Sequence, residues 1–84
     1  MLERGRVVIS LAGRDKGKLL AVMQEEENRV LISDGKERPV DRPKSKNIRH
    51  VEITDSLLSE ADRSTNRALR KALGRLNAEI NGNT

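Results

Sequence analysis

Val7, Ile9 and Leu11 alternate with Arg6 and Ser10, with Val8 intruding on the polar side, and this period of two predicts a strand with one buried face. Leu19 through Met23 form an unbroken apolar run, short enough for a second strand covered on both faces. An acidic turn, Glu25-Glu26-Glu27-Asn28, leads to a third strand at Val30-Leu31-Ile32. The Asp34-Gly35 pair that follows favours the type I′ geometry of a two-residue hairpin. A fourth strand is expected near Glu37 to Val40, held to a sheet edge because Pro39 has no N–H to donate, with Pro43 ending it. A fifth, Ile48 to Ile53, carries apolar residues at 51 and 53 and is expected to close a barrel.

Past Thr54-Asp55 the pattern changes from strand to helix. Ser59-Glu-Ala-Asp62 has capping-box spacing, with aspartate in the second acidic position. Leu69, Leu73, Leu76 and Ile80 share one stripe with Ala72 beside them, and Arg63, Arg67, Arg70 and Lys71 lie on the opposite face. Gly74 weakens this helix by roughly 1 kcal/mol relative to alanine, and Asn81-Gly82 ends it. The stripe is expected to dock on the protein's own core; the rival use of Leu69, Leu73, Leu76 and Ile80 is self-association or a protein partner. The chain thus divides into a barrel over 1–54 and a helical extension over 55–84.

Composition narrows the function. Eighty-four residues form one domain with a modest core, too small for a large substrate cleft. There is no Phe, Tyr or Trp, so Val, Leu, Ile, Ala and Met must fill that core, and low stability is expected unless a partner contributes. Cysteine is absent, which removes disulfides, thiolate zinc sites and a cysteine nucleophile. With one histidine and carboxylates concentrated in turns, no catalytic constellation assembles, and neither an enzyme nor a cofactor or metal is expected. Met-Leu-Glu-Arg-Gly-Arg lacks the apolar region of a signal peptide, and no apolar run nears the roughly 18 residues that span a bilayer, so a cytoplasmic protein is expected. Seventeen basic against 13 acidic residues give a net charge of +4 and favour a polyanionic partner.

Two stretches concentrate that charge. Gly13 and Gly17 take positive φ without steric cost and let the chain reverse between the first two strands, leaving Arg14, Lys16 and Lys18 at the tip. Such a tip suits phosphate, because cations stand beside backbone N–H groups that glycine leaves unobstructed; the alternative is a solvated hairpin turn. Residues 42–49 hold four basic side chains, Arg42, Lys44, Lys46 and Arg49, and no acid, with Pro43 stiffening the segment.

The order of these pieces resembles the KOW motif. Gly5-Arg6-Val7-Val8, Ala12-Gly13-Arg14-Asp15-Lys16-Gly17, the strand Leu19 to Met23, the acidic turn 25–28, Asp34-Gly35, Pro43 to Lys46 and His50-Val51-Glu52 follow the sequence of elements in archaeal and eukaryotic large-subunit ribosomal KOW proteins and small bacterial relatives. The likeness covers roughly residues 4 to 54, with Lys18-Leu19-Leu20 where the general pattern often has another glycine. It implies a five-stranded SH3-like barrel and a noncatalytic role in binding structured RNA, ribosomal RNA foremost, in translation. On the resemblance, Arg14, Lys16, Lys18, Arg42, Lys44, Lys46 and Arg49 contact phosphate while Gly13 and Gly17 shape the turn. His50 is read as structural, its alternative being a hydrogen bond to a ribose or base. Without aromatic platforms single-stranded bases cannot be stacked, so structured RNA is the expected ligand, held with weak sequence preference and steep salt dependence. The basic helix face is either solvated or a second RNA handle. The rival to RNA binding is a protein-interaction module working through the barrel and the leucine stripe.

Overall fold

The computed structural model describes residues 2–81. Five antiparallel strands, β1 (Arg6–Ser10), β2 (Leu19–Glu26), β3 (Arg29–Ser33), β4 (Lys44–Asn47) and β5 (Val51–Leu57), form one sheet in the order β4-β3-β2-β1-β5, and the helix α1 (Asn66–Asn81) follows. β4 and β5 are the two edges, so the described ladder is open. Short 3-10 turns at Ile48–His50 and Ala61–Arg63 join β4 to β5 and β5 to α1.

The sheet buries both faces. On one, Val8, Leu20, Val22, Val30 and Ile32 meet Leu2 and Val51, with Ile48 against them. Because Val51 opens the edge strand β5 while Val30 and Ile32 sit near the other edge, their common cluster shows that the sheet curls. On the opposite face Val7, Ala21 and Leu58 pack with Leu69, Ala72 and Leu73 of α1, flanked by Leu19, Met23, Val40 and Leu76. β1 therefore differs from the one-faced strand predicted by its alternation. Val7 and Val8 are both buried, and Leu11 is exposed. Val8 faces the concave side and Val7 the helix. The continuous run in β2 is covered on both sides, as its length suggests, with Leu20, Ala21 and Val22 fully buried.

Register shifts bend the long strands. One lies between Val22 and Gln24 in the β2–β3 ladder and another between Arg6 and Val8 in β1–β5. The acidic segment makes a two-residue connection, Glu27–Asn28, with Glu26 opposite Arg29. No non-glycine residue among those described has positive φ, so this hairpin lacks the primed geometry that matches strand twist.

Three boundaries move. Residues 34–43 form turns rather than a strand over 37–40, because the Asp34 carboxylate accepts from the N–H groups of Lys36 (2.8 Å) and Arg38 (2.9 Å) and folds the chain on itself. The Asp34 and Gly35 N–H groups also donate to the Arg38 carbonyl, so Asp-Gly starts a wider turn than a two-residue hairpin. The fourth strand lies at Lys44–Asn47, inside the stretch expected to be a basic loop, and the fifth runs from Val51 to Leu57. Of its two expected core residues Val51 is buried, while Ile53 is exposed.

The helix also begins later than its first signal. Ser59 Oγ accepts from the Asp62 N–H (3.2 Å), but that box closes only the 3-10 turn at 61–63. Thr65 caps α1, its hydroxyl accepting from Ala68 N–H at 3.0 Å. Leu69 and Leu73 are buried against the protein's own sheet and Leu76 is partly buried, which removes most of the stripe offered for self-association; Ile80 stays exposed. The stop expected at Gly82 lies outside the described residues. Among the described residues no helix is long and apolar enough to cross a membrane.

Candidate nucleic-acid interface

The β1–β2 turn is fixed from within before it presents any charge. Gly13 and Gly17 both take positive φ, +77° and +87°. Ser10 N–H donates to Lys18 O (3.0 Å) and Gly17 N–H to Ser10 O (2.8 Å), while Lys16 and Lys18 N–H groups donate to Gly13 O and Asp15 O. The acidic residue of the turn points inward. Asp15 has a side chain 3% exposed, and its Oδ2 accepts from both Nε and a terminal nitrogen of Arg38 at 3.3 Å. This pair joins the turn at 13–18 to the turn at 34–38.

From that base Arg14, Lys16 and Lys18 project outward, all exposed. They are not all free of partners. Lys18 Nζ lies 3.0 Å from Glu37 Oε1 and 3.9 Å from Asp15 Oδ1, and an Arg14 terminal nitrogen lies 3.6 Å from Glu37 Oε2. The hydrogen bond from Lys18, reinforced by its charge and that of Arg14, holds the Glu37 carboxyl below the usual glutamate range. The same bond, with the negative charge of Glu37, pushes the Lys18 ammonium above its ordinary value.

The second basic stretch meets the first along β4. Lys46 is buried, and its ammonium donates to the Ala12 carbonyl at 2.9 Å, directly beneath the turn. Nearby the Leu11 N–H donates to the His50 carbonyl at 2.8 Å. These contacts bring Leu11 and Ala12, at the base of the turn, against Lys46 and His50. They also change the part assigned to Lys46, whose ammonium braces the turn instead of projecting from it. Arg49 is exposed beside this junction, following Asn47, whose side chain accepts from the Arg49 N–H at 2.9 Å. Lys44 is exposed opposite Ile32 at the start of β4, and Arg42 is exposed in a turn where its N–H donates to Pro39 O at 3.0 Å.

Three cationic side chains outside the predicted set share this region. Arg38 holds Asp15, Arg70 of α1 donates to Gly35 O at 2.8 Å, and Lys36 stands on the turn between them. Together with Lys18, Lys36 and Arg70 line an open groove of about 510 Å³ between the two turns and α1, in which Asp34 and Glu37 supply the acidic side. The sequence signal for Arg70 is its place on the basic helix face; nothing in the spacing of Lys36 or Arg38 distinguishes them from solvated turn residues.

The arrangement can hold an anion. Cationic side chains on a turn closed by its own backbone hydrogen bonds offer electrostatic and hydrogen-bonding contacts to phosphate oxygens. Among the described residues no cluster of three or more His, Asp or Glu side chains is arranged to hold a metal ion. The chain matches no protein-family model and no curated protein.

Proposed function

We propose that the protein is a noncatalytic RNA-binding protein of KOW type, engaging structured RNA, ribosomal RNA foremost, through the turn at 13–18 and the exposed cations of 42–49, in a translation or ribosome-associated role. In this reading the curled sheet is an SH3-like barrel and the RNA lies across the end where Leu11 and Ala12 meet Lys46 and His50. The observation that carries it is the braced turn. Asp15 and Arg38 fix it from one side and Lys46 from another, so Arg14, Lys16 and Lys18 need little further ordering to meet phosphates. The absence of aromatic residues favours a ligand recognised by shape and backbone. The rival interaction module loses its main surface, since Leu69 and Leu73 are occupied within the protein's own core.

The test is binding to structured ribosomal RNA fragments across a potassium chloride series. A variant with Arg14, Lys16, Lys44 and Arg49 changed to alanine is compared with the parent; Lys46 is kept because the turn rests on it. The parent is expected to weaken steeply with salt. The variant should bind more weakly, with a slope of log K against log salt shallower by about 3, near 0.7 to 0.9 for each phosphate it no longer neutralises. Equal binding by the two folded proteins would remove this interface.

A further inference from the structure

We infer that in the free protein the Glu37 carboxylate occupies the seat of an RNA phosphate between Arg14 and Lys18, and that RNA binds by displacing it. This rests on the RNA-binding reading above and adds a competitor built into the same site. Each oxygen of Glu37 addresses a different cation, Oε1 the Lys18 ammonium at 3.0 Å and Oε2 the Arg14 guanidinium at 3.6 Å. A phosphodiester presents the same element, two terminal oxygens on one centre sharing a single negative charge.

The two carboxylates that face Lys18 differ in their freedom to leave. Asp15 is enclosed, 3% exposed, and tied to Arg38, whereas the Glu37 side chain is 47% exposed and its carboxylate pairs with the ends of two long basic side chains. Nor does the turn carrying Glu37 depend on its side chain. The Asp34 carboxylate and the Arg38 carbonyl hold that turn through backbone N–H groups. Glu37 can therefore swing out while 34–38 keeps its shape.

Space lies beyond the seat. The groove continues past Lys18 and Glu37 to Lys36 and Arg70, and a Cβ built on Gly74 of α1 meets no atom within 4 Å. Nucleotides flanking a seated phosphate have room beside the helix and further cations within the groove. An exposed ion pair contributes little, so a polyanion that reaches several cations at once overcomes it, while an isolated phosphate gains little by exchanging with a tethered carboxylate. Glu37 thereby favours contiguous phosphates over single anions.

The test compares Glu37→Gln with the parent on a structured ribosomal RNA fragment over a salt series, and repeats the comparison in a background with Arg14 and Lys18 changed to alanine. Glu37→Gln is expected to bind about two- to fivefold more tightly in the parent background, the range of an exposed ion pair that no longer has to be broken. In the alanine background the substitution should have no effect on affinity, because the seat is gone. Equal or weaker binding by Glu37→Gln, with the parent still binding in a salt-sensitive way, overturns the displacement while leaving the RNA reading in place. Loss of measurable binding in both the parent and Glu37→Gln overturns the RNA reading, and the displacement with it.

Discussion

Asp15 and Glu37 show how two acids close to the same lysine take opposite parts. Asp15 is buried and receives two contacts from Arg38, itself only 20% exposed along its side chain, so removing the carboxylate leaves a half-buried guanidinium without its charge partner. Asp15→Ala is expected to lower the unfolding free energy by about 2 kcal/mol, between the loss of a charged hydrogen bond and that of a buried ion pair. Urea denaturation measures it, and a change within about 0.5 kcal/mol, the usual range of a surface substitution, would show that the Asp15–Arg38 pair does not hold the turns together. The exposed Lys18–Glu37 pair has a different pH signature. The depressed Glu37 carboxyl contributes its part above the unfolded glutamate value and loses it as pH falls through the folded one. The raised Lys18 ammonium contributes below the unfolded lysine value and loses it as pH rises through the folded one. The pair is therefore intact across neutral pH, where a phosphate of the proposed RNA ligand would have to compete with it.

At the scale of elements, strands with a strong apolar signal are legible in the sequence and those held by polar contacts are not. The run from Leu19 to Met23 marks β2 because its middle residues meet a core on each side of the sheet. β4, Lys-Ser-Lys-Asn, has no apolar residue to announce it. It is set by pairing with β3 and by Lys46 reaching Ala12, both of which require a folded partner. Val40 is the one β-branched residue between Ser33 and Ile48, but the Asp34 carboxylate binds local N–H groups that a strand would need for its ladder. The helical period locates α1 but favours Ser59 over the actual cap, Thr65, since both precede the same leucines. Gly74 is a weak point of that helix by propensity, and the geometry makes this testable. With nothing within 4 Å of its missing Cβ, Gly74→Ala is expected to raise stability by about 1 kcal/mol, the helix propensity difference alone. Thermal or urea unfolding reads the gain, and destabilisation would show that a side chain does not fit at this position.

The whole molecule depends on α1 more than a division at residue 54 suggests. One face of the sheet finishes its core with Leu69, Ala72 and Leu73, so the helix covers Val7 and Ala21, which no strand covers from that side. The connection is polar as well as apolar. Asn66 Oδ1 accepts from the Val40 N–H at 2.8 Å and Arg70 donates to Gly35 O at 2.8 Å, pinning the first turns of α1 to the segment that carries Glu37. Burying the two leucines alone contributes about 3 to 6 kcal/mol, and the sheet loses more when Val7 and Ala21 face water. A chain of this length is stable by only about 4 to 12 kcal/mol, and one without aromatic residues belongs toward the lower end. A chain shortened to residues 1–64 should therefore lack a cooperative thermal transition by circular dichroism, although every strand remains. The same truncation removes Arg70 from the groove and its hold on the 34–38 turn, so the proposed RNA binding should require the helix itself. Adding a peptide of residues 65–84 in excess is the decisive measurement. Recovery of both the transition and RNA binding would show that α1 completes one folding unit, whereas a fragment of 1–64 that melts cooperatively by itself would make the helix an appendage to an independent sheet.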